Sequence, residues 1–266
     1  MLFGSLARLP CLWRRFGSQR KDRVLVTFDF DKTIIEEDSY VALFRLLSPE
    51  NQHMGHLQTL ISGSRWLEYL EHLLRLLQRE QNLSSAQIAQ SIRKLKPMPG
   101  ILHLLRRLEQ CEAVDLCILS DANSFFIKEW LAAHGLECSF QAGIYTNPAC
   151  VMPESQHLVV VPYEHQTHCD YCPENLCKGG VMDMLIGSQS KGDKLYGSFI
   201  YVGDSCNDLC AIRRLGTADT ACIRCGEELH EKLPAYRKEL NCQVIHWWDG
   251  HDLENQLLAK HRQLHW

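Results

Sequence analysis

The sequence predicts an α/β fold, a parallel sheet with helices on both faces and a small helical cap inserted after the first strand. Three apolar runs carry that expectation: VLVTF at 24–28, VDLCILS at 114–120 and SFIYVGD at 198–204. They are short, rich in β-branched and aromatic residues, and nearly continuous, as strands buried on both faces must be. Between them apolar residues recur at helical spacing, and strands alternating with helices build parallel sheets. Each run also ends in acids or a hydroxyl, and the carboxyl ends of parallel strands are where such sheets bind ligands.

Taken in order, residues 1–23 hold six Arg or Lys and one acid. That composition suits a mitochondrial presequence, and equally a solvated basic tail ahead of the fold. The strand of 24–28 opens onto Asp29 and Asp31, which the alternation of extended backbone points to the same side. Residues 38–95 read as the cap, with Ser84 and Gln87 spaced as a capping box. PMPG at 97–100 breaks the pattern and starts a helix through Leu108. The second strand follows, then a helix over FFIKEWLAAHG that Gly135 stops. Residues 136–177 show little periodicity, while TACI and QVIHWW are weaker strand candidates past the third run. The expected organisation is a core of 24–37 and 96–250, a cap of 38–95, and a C-terminal helix or tail of 251–266.

With 266 residues the chain holds one full core and an insertion, not two large domains. A net charge of -4 gives no basic footprint for a nucleic-acid backbone. No stretch reaches the roughly 20 apolar residues that a membrane span needs. Thirteen cysteines is an odd number, and Cys117 and others sit inside apolar runs as small hydrophobes. Free thiols in this number point to a reducing, cytoplasmic setting, with mitochondria as the alternative if residues 1–23 are a presequence.

The three strand ends read DFDKT, SDAN and GDSCND. Brought to one crevice, Asp29, Asp31 and Asp204 repel one another unless a cation joins them, and a few oxygen ligands with room for water and phosphate suit Mg²⁺. One carboxylate can attack phosphorus while a second protonates the leaving alcohol. The charge on the transferred phosphoryl oxygens calls for a hydroxyl and a fixed cation. Ser120 and Lys178 are the natural suppliers, with Lys191 and Lys194 as fallbacks.

In that order, DFDKT, Ser120, a downstream lysine and GDSCND resemble the four motifs of the haloacid-dehalogenase phosphatase superfamily. SDAN, TNP, CPENLCK and the GD..ND ending resemble the phosphoethanolamine/phosphocholine phosphatase family, over roughly residues 24–250. The resemblance implies a Rossmannoid core and a Mg²⁺-dependent phosphomonoesterase for a small phosphorylated metabolite. It makes Asp29 the nucleophile and Asp31 the acid and base. Asp29, the Asp31 carbonyl and Asp204 would hold Mg²⁺, Asp208 would support it, and Ser120 and Lys178 would bind phosphate. Pyridoxal phosphate and thiamine monophosphate are rival substrates, and a catalytically silent, zinc-binding interaction protein is the rival of another class. Where the family commonly runs Asp-Asn-Ser-Asp, this chain has Glu37, Asp38, Ser39 and Tyr40. A ring in place of the last carboxylate favours a weakly hydrated quaternary cation, with Asp121 left as an anionic partner.

HQTHCDYCPENLC, residues 165–177, holds a further cluster. Cys169, Cys172 and Cys177, completed by His165 or His168, have the spacing of a tetrahedral zinc site. A set of free thiols is the alternative.

Overall fold

The computed structural model describes residues 23–52, 65–187 and 196–261. The segment read as a presequence, the middle of the cap, and Lys191 and Lys194 lie outside the described residues.

Six parallel strands form the sheet. In chain order they are β1 (Val24–Phe28), β2 (Val114–Asn123), β3 (Ile144–Asn147), β6 (Ser198–Gly203), β7 (Thr220–Arg224) and β8 (Gln243–Trp247). Their spatial order is β3-β2-β1-β6-β7-β8. The chain therefore builds outward from β1 on one side, then returns to pair β6 with the other side of β1. That reversal opens a crevice at the ends of β1, β2 and β6, where a parallel sheet takes its ligand.

Strand alternation splits the core. Val24, Val26 and Phe28 of β1, with Ile200 and Val202 of β6, pack on one face with the helices α5 (Ile101–Gln110), α6 (Ser124–Ala133) and α10 (Gly250–Lys260). Leu25, Phe199 and Tyr201 face the other side, toward α7 (Lys178–Gly187), α8 (Cys206–Ile212) and α9 (Glu228–Tyr236).

Between β1 and β2 the described cap consists of α1 (Ser39–Phe44), α2 (Pro49–Gln52), α3 (Trp66–Arg75) and α4 (Ser85–Arg93). A π-helical turn, Leu76–Glu80, continues α3. The capping box at the start of α4 forms as the spacing predicts, with the Ser84 hydroxyl accepting from the Gln87 N–H. The aperiodic stretch of 136–177 holds more order than its sequence suggests: β3, and a hairpin of β4 (Ala149–Val151) and β5 (Leu158–Val160). These strands are three or four residues long, too short to show a period. β2 runs three residues past Ser120, and the side chain of its last residue, Asn123, caps α6 by accepting from the Phe125 and Phe126 N–H groups. The described part of the C-terminal segment forms helix α10, joined to the core where the Gly250 N–H donates to the Pro99 carbonyl at 2.7 Å. Among the described residues no helix is long and apolar enough to cross a membrane.

Candidate active site

Register fixes the site. Phe28 lies between Ile118 of β2 and Val202 of β6, so the next residues of all three strands emerge together at one edge of the sheet. Asp29 is held there by its N–H, which donates to the Val202 carbonyl at 2.9 Å. One of its oxygens accepts from the Phe30 N–H at 2.8 Å, and the other meets the Lys178 ammonium at 3.0 Å.

Lys178 is fully buried at the start of α7 and also reaches Asp208 at 2.7 Å. Burial works against its ammonium, but Asp208, Asp29 and Asp121 outweigh burial and hold the group well above the usual lysine range. Both oxygens of Asp208 are engaged. One accepts from Lys178 and from the Tyr201 hydroxyl at 2.7 Å; the other accepts from the N–H groups of Asp204 and Ser205, both at 2.9 Å. Asp208 thus completes a capping box on α8 and neutralises a buried lysine at once. Gly203 permits this, because a Cβ there would meet the Asp208 carboxyl carbon at 2.5 Å.

Asp204 accepts from the Thr33 hydroxyl at 3.1 Å. Asp29, Asp204 and Asp208 each bring a carboxylate oxygen within 4.8 Å of the others. Burial pushes the Asp29 carboxyl up to about 7 although Lys178 pulls it down, with Asp208 and Asp121 adding to the rise. Asp204 is held well above the carboxylate range, by burial first and then by Asp208 and Asp29.

Asp31 points into the same cleft but is tied to the cap. Its two oxygens accept from the N–H and the hydroxyl of Ser39, the first residue of α1, at 3.0 Å each. Burial, then Asp38 and Asp29, hold its carboxyl well above the usual range. Ser120 is fully buried within β2, three residues before its end, accepts from the Ala122 N–H at 3.2 Å, and is not among the side chains lining the cleft.

The cleft encloses about 260 Å³. Seven acids line it (Asp29, Asp31, Asp38, Asp121, Asp204, Glu227 and Glu228) against one lysine, Lys32, with Tyr40 and Trp66 forming an aromatic wall. The two rings meet edge-on at 4.9 Å, and the Trp66 indole N–H donates to the Asp121 carbonyl at 3.2 Å, fastening cap to core. The Asp121 carboxylate accepts from Asn207 at 2.9 Å, and burial raises it above the ordinary range despite Lys178.

The predicted set of Asp29, Asp31, Asp204, Asp208 and Lys178 is thus brought together, with Tyr40 and Asp121 on the wall. Sequence reasoning passed over Thr33, although it stands inside DFDKT. Tyr201, hidden in an apolar strand, and Trp66, whose helical spacing is that of a core residue, carry no signal of their own in the sequence.

The cysteine loop departs from expectation at one position. Cys169, Cys172 and Cys177 converge as predicted, but their fourth neighbour is Cys210 of α8; His165 and His168 are both exposed and stand outside the group. The packing of α8 under the loop fills the fourth place with a cysteine far along the chain.

Comparison with known proteins gives the family. Residues 24–261 match the family described as "Putative Phosphatase". The mouse pyridoxal phosphate phosphatase is 30% identical over 239 residues, covering 88% of this chain and 97% of its own. A thiamine phosphate phosphatase-like protein of Arabidopsis thaliana is 31% identical, covering 89% of this chain and 94% of its own. The human phosphoethanolamine/phosphocholine phosphatase is 27% identical, covering 94% of both. Among solved structures, a phosphoserine phosphatase carrying a phospho-aspartyl intermediate analogue shares the fold, with a TM-score of 0.57 at 15% identity over 90% of this chain and 99% of that one. This chain is a phosphatase and belongs to the haloacid-dehalogenase superfamily, within the family whose model spans its whole core.

Proposed function

We infer that the enzyme is a Mg²⁺-dependent phosphomonoesterase for small amine-bearing esters, phosphocholine and phosphoethanolamine foremost, acting through an aspartyl-phosphate on Asp29. The observation that carries this reading is the cleft itself: buried Asp29 at the end of β1, paired with Lys178, beneath a wall that is acidic and aromatic. A phosphate dianion cannot enter seven acids and one lysine unless further positive charge is present. The donors fit a hard cation, being carboxylate oxygens of Asp29 and Asp204 close together, with Asp208 buttressing them through the Asp204 N–H. Bound there, Mg²⁺ would neutralise the carboxylates and polarise the phosphoryl group.

In the first step a carboxylate oxygen of Asp29 attacks phosphorus and the bond to the ester oxygen breaks. Asp31 gives its proton to the departing alcohol, a role that suits a carboxyl whose hold on a proton is raised by burial and by Asp38 and Asp29. In the second step water attacks the aspartyl-phosphate and Asp31 takes the proton back. Lys178, which meets the Asp29 carboxylate at 3.0 Å, would supply positive charge to the phosphoryl oxygens, and the Ser120 hydroxyl would reach them only by turning out of its buried position. Asp38, Asp121, Glu227 and Glu228 with the Tyr40 and Trp66 rings form a surround for an ammonium, in which the rings favour the quaternary cation.

The same rings could stack on a pyridine or thiazole, and relatives named for pyridoxal phosphate and thiamine phosphate are as similar to this chain as any reported above. That is the second reading. A panel of phosphocholine, phosphoethanolamine, pyridoxal phosphate, thiamine monophosphate and glycerol phosphate decides between them by kcat/KM. Cleavage of glycerol phosphate as fast as of either amine ester refutes the amine reading. Asp29→Asn should leave under roughly a tenth of the turnover for every substrate, with circular dichroism unchanged.

A further inference from the structure

Outside the catalytic cleft, four cysteines converge in a place that has almost no other core. Cys169, Cys172 and Cys177 come from the loop before α7 and Cys210 from the middle of α8. Their sulfur atoms all lie within 4.8 Å of one another, with Cys169 to Cys210 at 3.4 Å and Cys177 to Cys210 at 3.9 Å. None of the four is disulfide-bonded. A disulfide needs sulfurs about 2.05 Å apart. A tetrahedron of thiolates around one zinc, with bonds of about 2.3 Å, has edges of about 3.8 Å. The observed separations bracket that edge.

The surroundings are those of a thiolate site. The Lys178 N–H donates to the Cys172 sulfur and the Gly180 N–H to the Cys177 sulfur, each at 3.4 Å, the kind of supporting bond that stabilises and orients metal-bound ligands. At Gly179 a Cβ would stand 2.4 Å from the Cys210 sulfur, so the first turn of α7 is stripped to backbone where it passes the cluster. A hollow beside Cys169 and Cys210 is lined by Asp170, Arg213 and Arg214, the two arginines being paired with Glu239 and Asp183. Packing alone gives little reason for the arrangement. The local cluster consists of these cysteines and Tyr171, and the loop is braced inside by Gln166, which donates to the carbonyls of Cys169, Cys172 and Pro173.

We propose that Cys169, Cys172, Cys177 and Cys210 form a closed, mononuclear structural zinc site. Four thiolates leave no open position for a substrate, and sulfurs this close enclose one ion and no larger cluster. The site clips the 161–177 loop and the start of α7 onto α8, one residue before Lys178 and two after Asp208. It does not depend on which phosphate ester the enzyme cleaves.

The test is elemental analysis of the full-length chain, produced without a histidine tag and purified without chelators. The expected content is about one zinc per chain, kept in His165→Ala and reduced below about 0.2 in Cys210→Ser and in Cys169→Ser, with a lower melting temperature in both serine variants. Should the serine variants not fold, the unaltered protein refolded with Co²⁺ decides. Visible ligand-field bands of a tetrahedral tetrathiolate, displaced by one equivalent of Zn²⁺, support the site. Zinc near zero with no such bands overturns the proposal, as does iron in place of zinc, or zinc that survives Cys210→Ser and is lost in His165→Ala.

Discussion

At the scale of single residues, Asp29 and Asp31 differ in what holds them. Asp29 is fixed by the core through Lys178 and the Phe30 N–H; Asp31 is fixed by Ser39 of the cap. If Asp31 protonates the leaving group, Asp31→Asn should slow an alkyl phosphate at least about tenfold more than p-nitrophenyl phosphate, whose leaving group needs little help. Equal losses, measured as kcat on both esters, would remove Asp31 from that role. A second expectation follows from burial. The folded-state pKa of Asp29 is raised to about 7, well above the ordinary carboxylate value, so the folded state binds more protons than the unfolded one between the two. Its contribution is therefore present at low pH and lost as pH rises through that window. His246 and His261, lowered by burial, act in the opposite sense, so the comparison must be made against a variant. In metal-free buffer Asp29→Asn should melt at least about 2 °C above the unaltered protein at pH 8, with the gain shrinking toward pH 5. A gain that is flat or grows toward acid, read by differential scanning calorimetry, contradicts the argument.

At the scale of elements, the least legible part of the sequence is the hairpin of β4 and β5. Its edge is completed by a side chain from the cap: buried Gln78, in the π-helical turn after α3, donates to the Leu158 carbonyl at 3.0 Å and accepts from the Leu158 N–H at 2.5 Å. The amide imitates a neighbouring strand. Gln78→Ala leaves two backbone groups unpaired and should cost about 1–3 kcal/mol, visible in urea unfolding as a lower midpoint. Gln78→Glu keeps the acceptor's place but sets a carboxylate against a carbonyl, and should be no better. None of this could be read from sequence, because the bond joins residues 80 positions apart and the hairpin strands carry no period. Strands β2, β1 and β6, interior to the sheet, were legible for the opposite reason, since burial on both faces writes a continuous apolar run.

At the scale of the whole molecule, the candidate site was legible where one strand end carries its own chemistry and illegible where two elements share it. Asp29, Asp31 and Asp204 stand directly after apolar runs. Cys210 lies 33 positions beyond Cys177, and only the packing of α7 on α8 makes them neighbours. Tyr201 looks like any core aromatic until the capping turn of α8 brings Asp208 over it. The assembled charge also yields an expectation for the intact enzyme. Chelation should abolish turnover, Mg²⁺ should restore it, and the melting temperature should rise with Mg²⁺ concentration, more at pH 8 than at pH 5, because only ionised carboxylates gain a partner. Turnover that persists after exhaustive chelation removes the cation from the reaction.

The bond between Asp31 and the first turn of α1 has one more consequence. In the proposed reaction the proton donor stands on the floor but is oriented by the lid through Ser39, so whatever lifts the lid also frees the acid to turn away. An ester too bulky to let Tyr40 and Trp66 settle would bind, reach Asp29, and still find no proton for its leaving group. Discrimination of that kind would register in kcat while leaving KM almost untouched, a gate that counts protons where an ordinary pocket measures width.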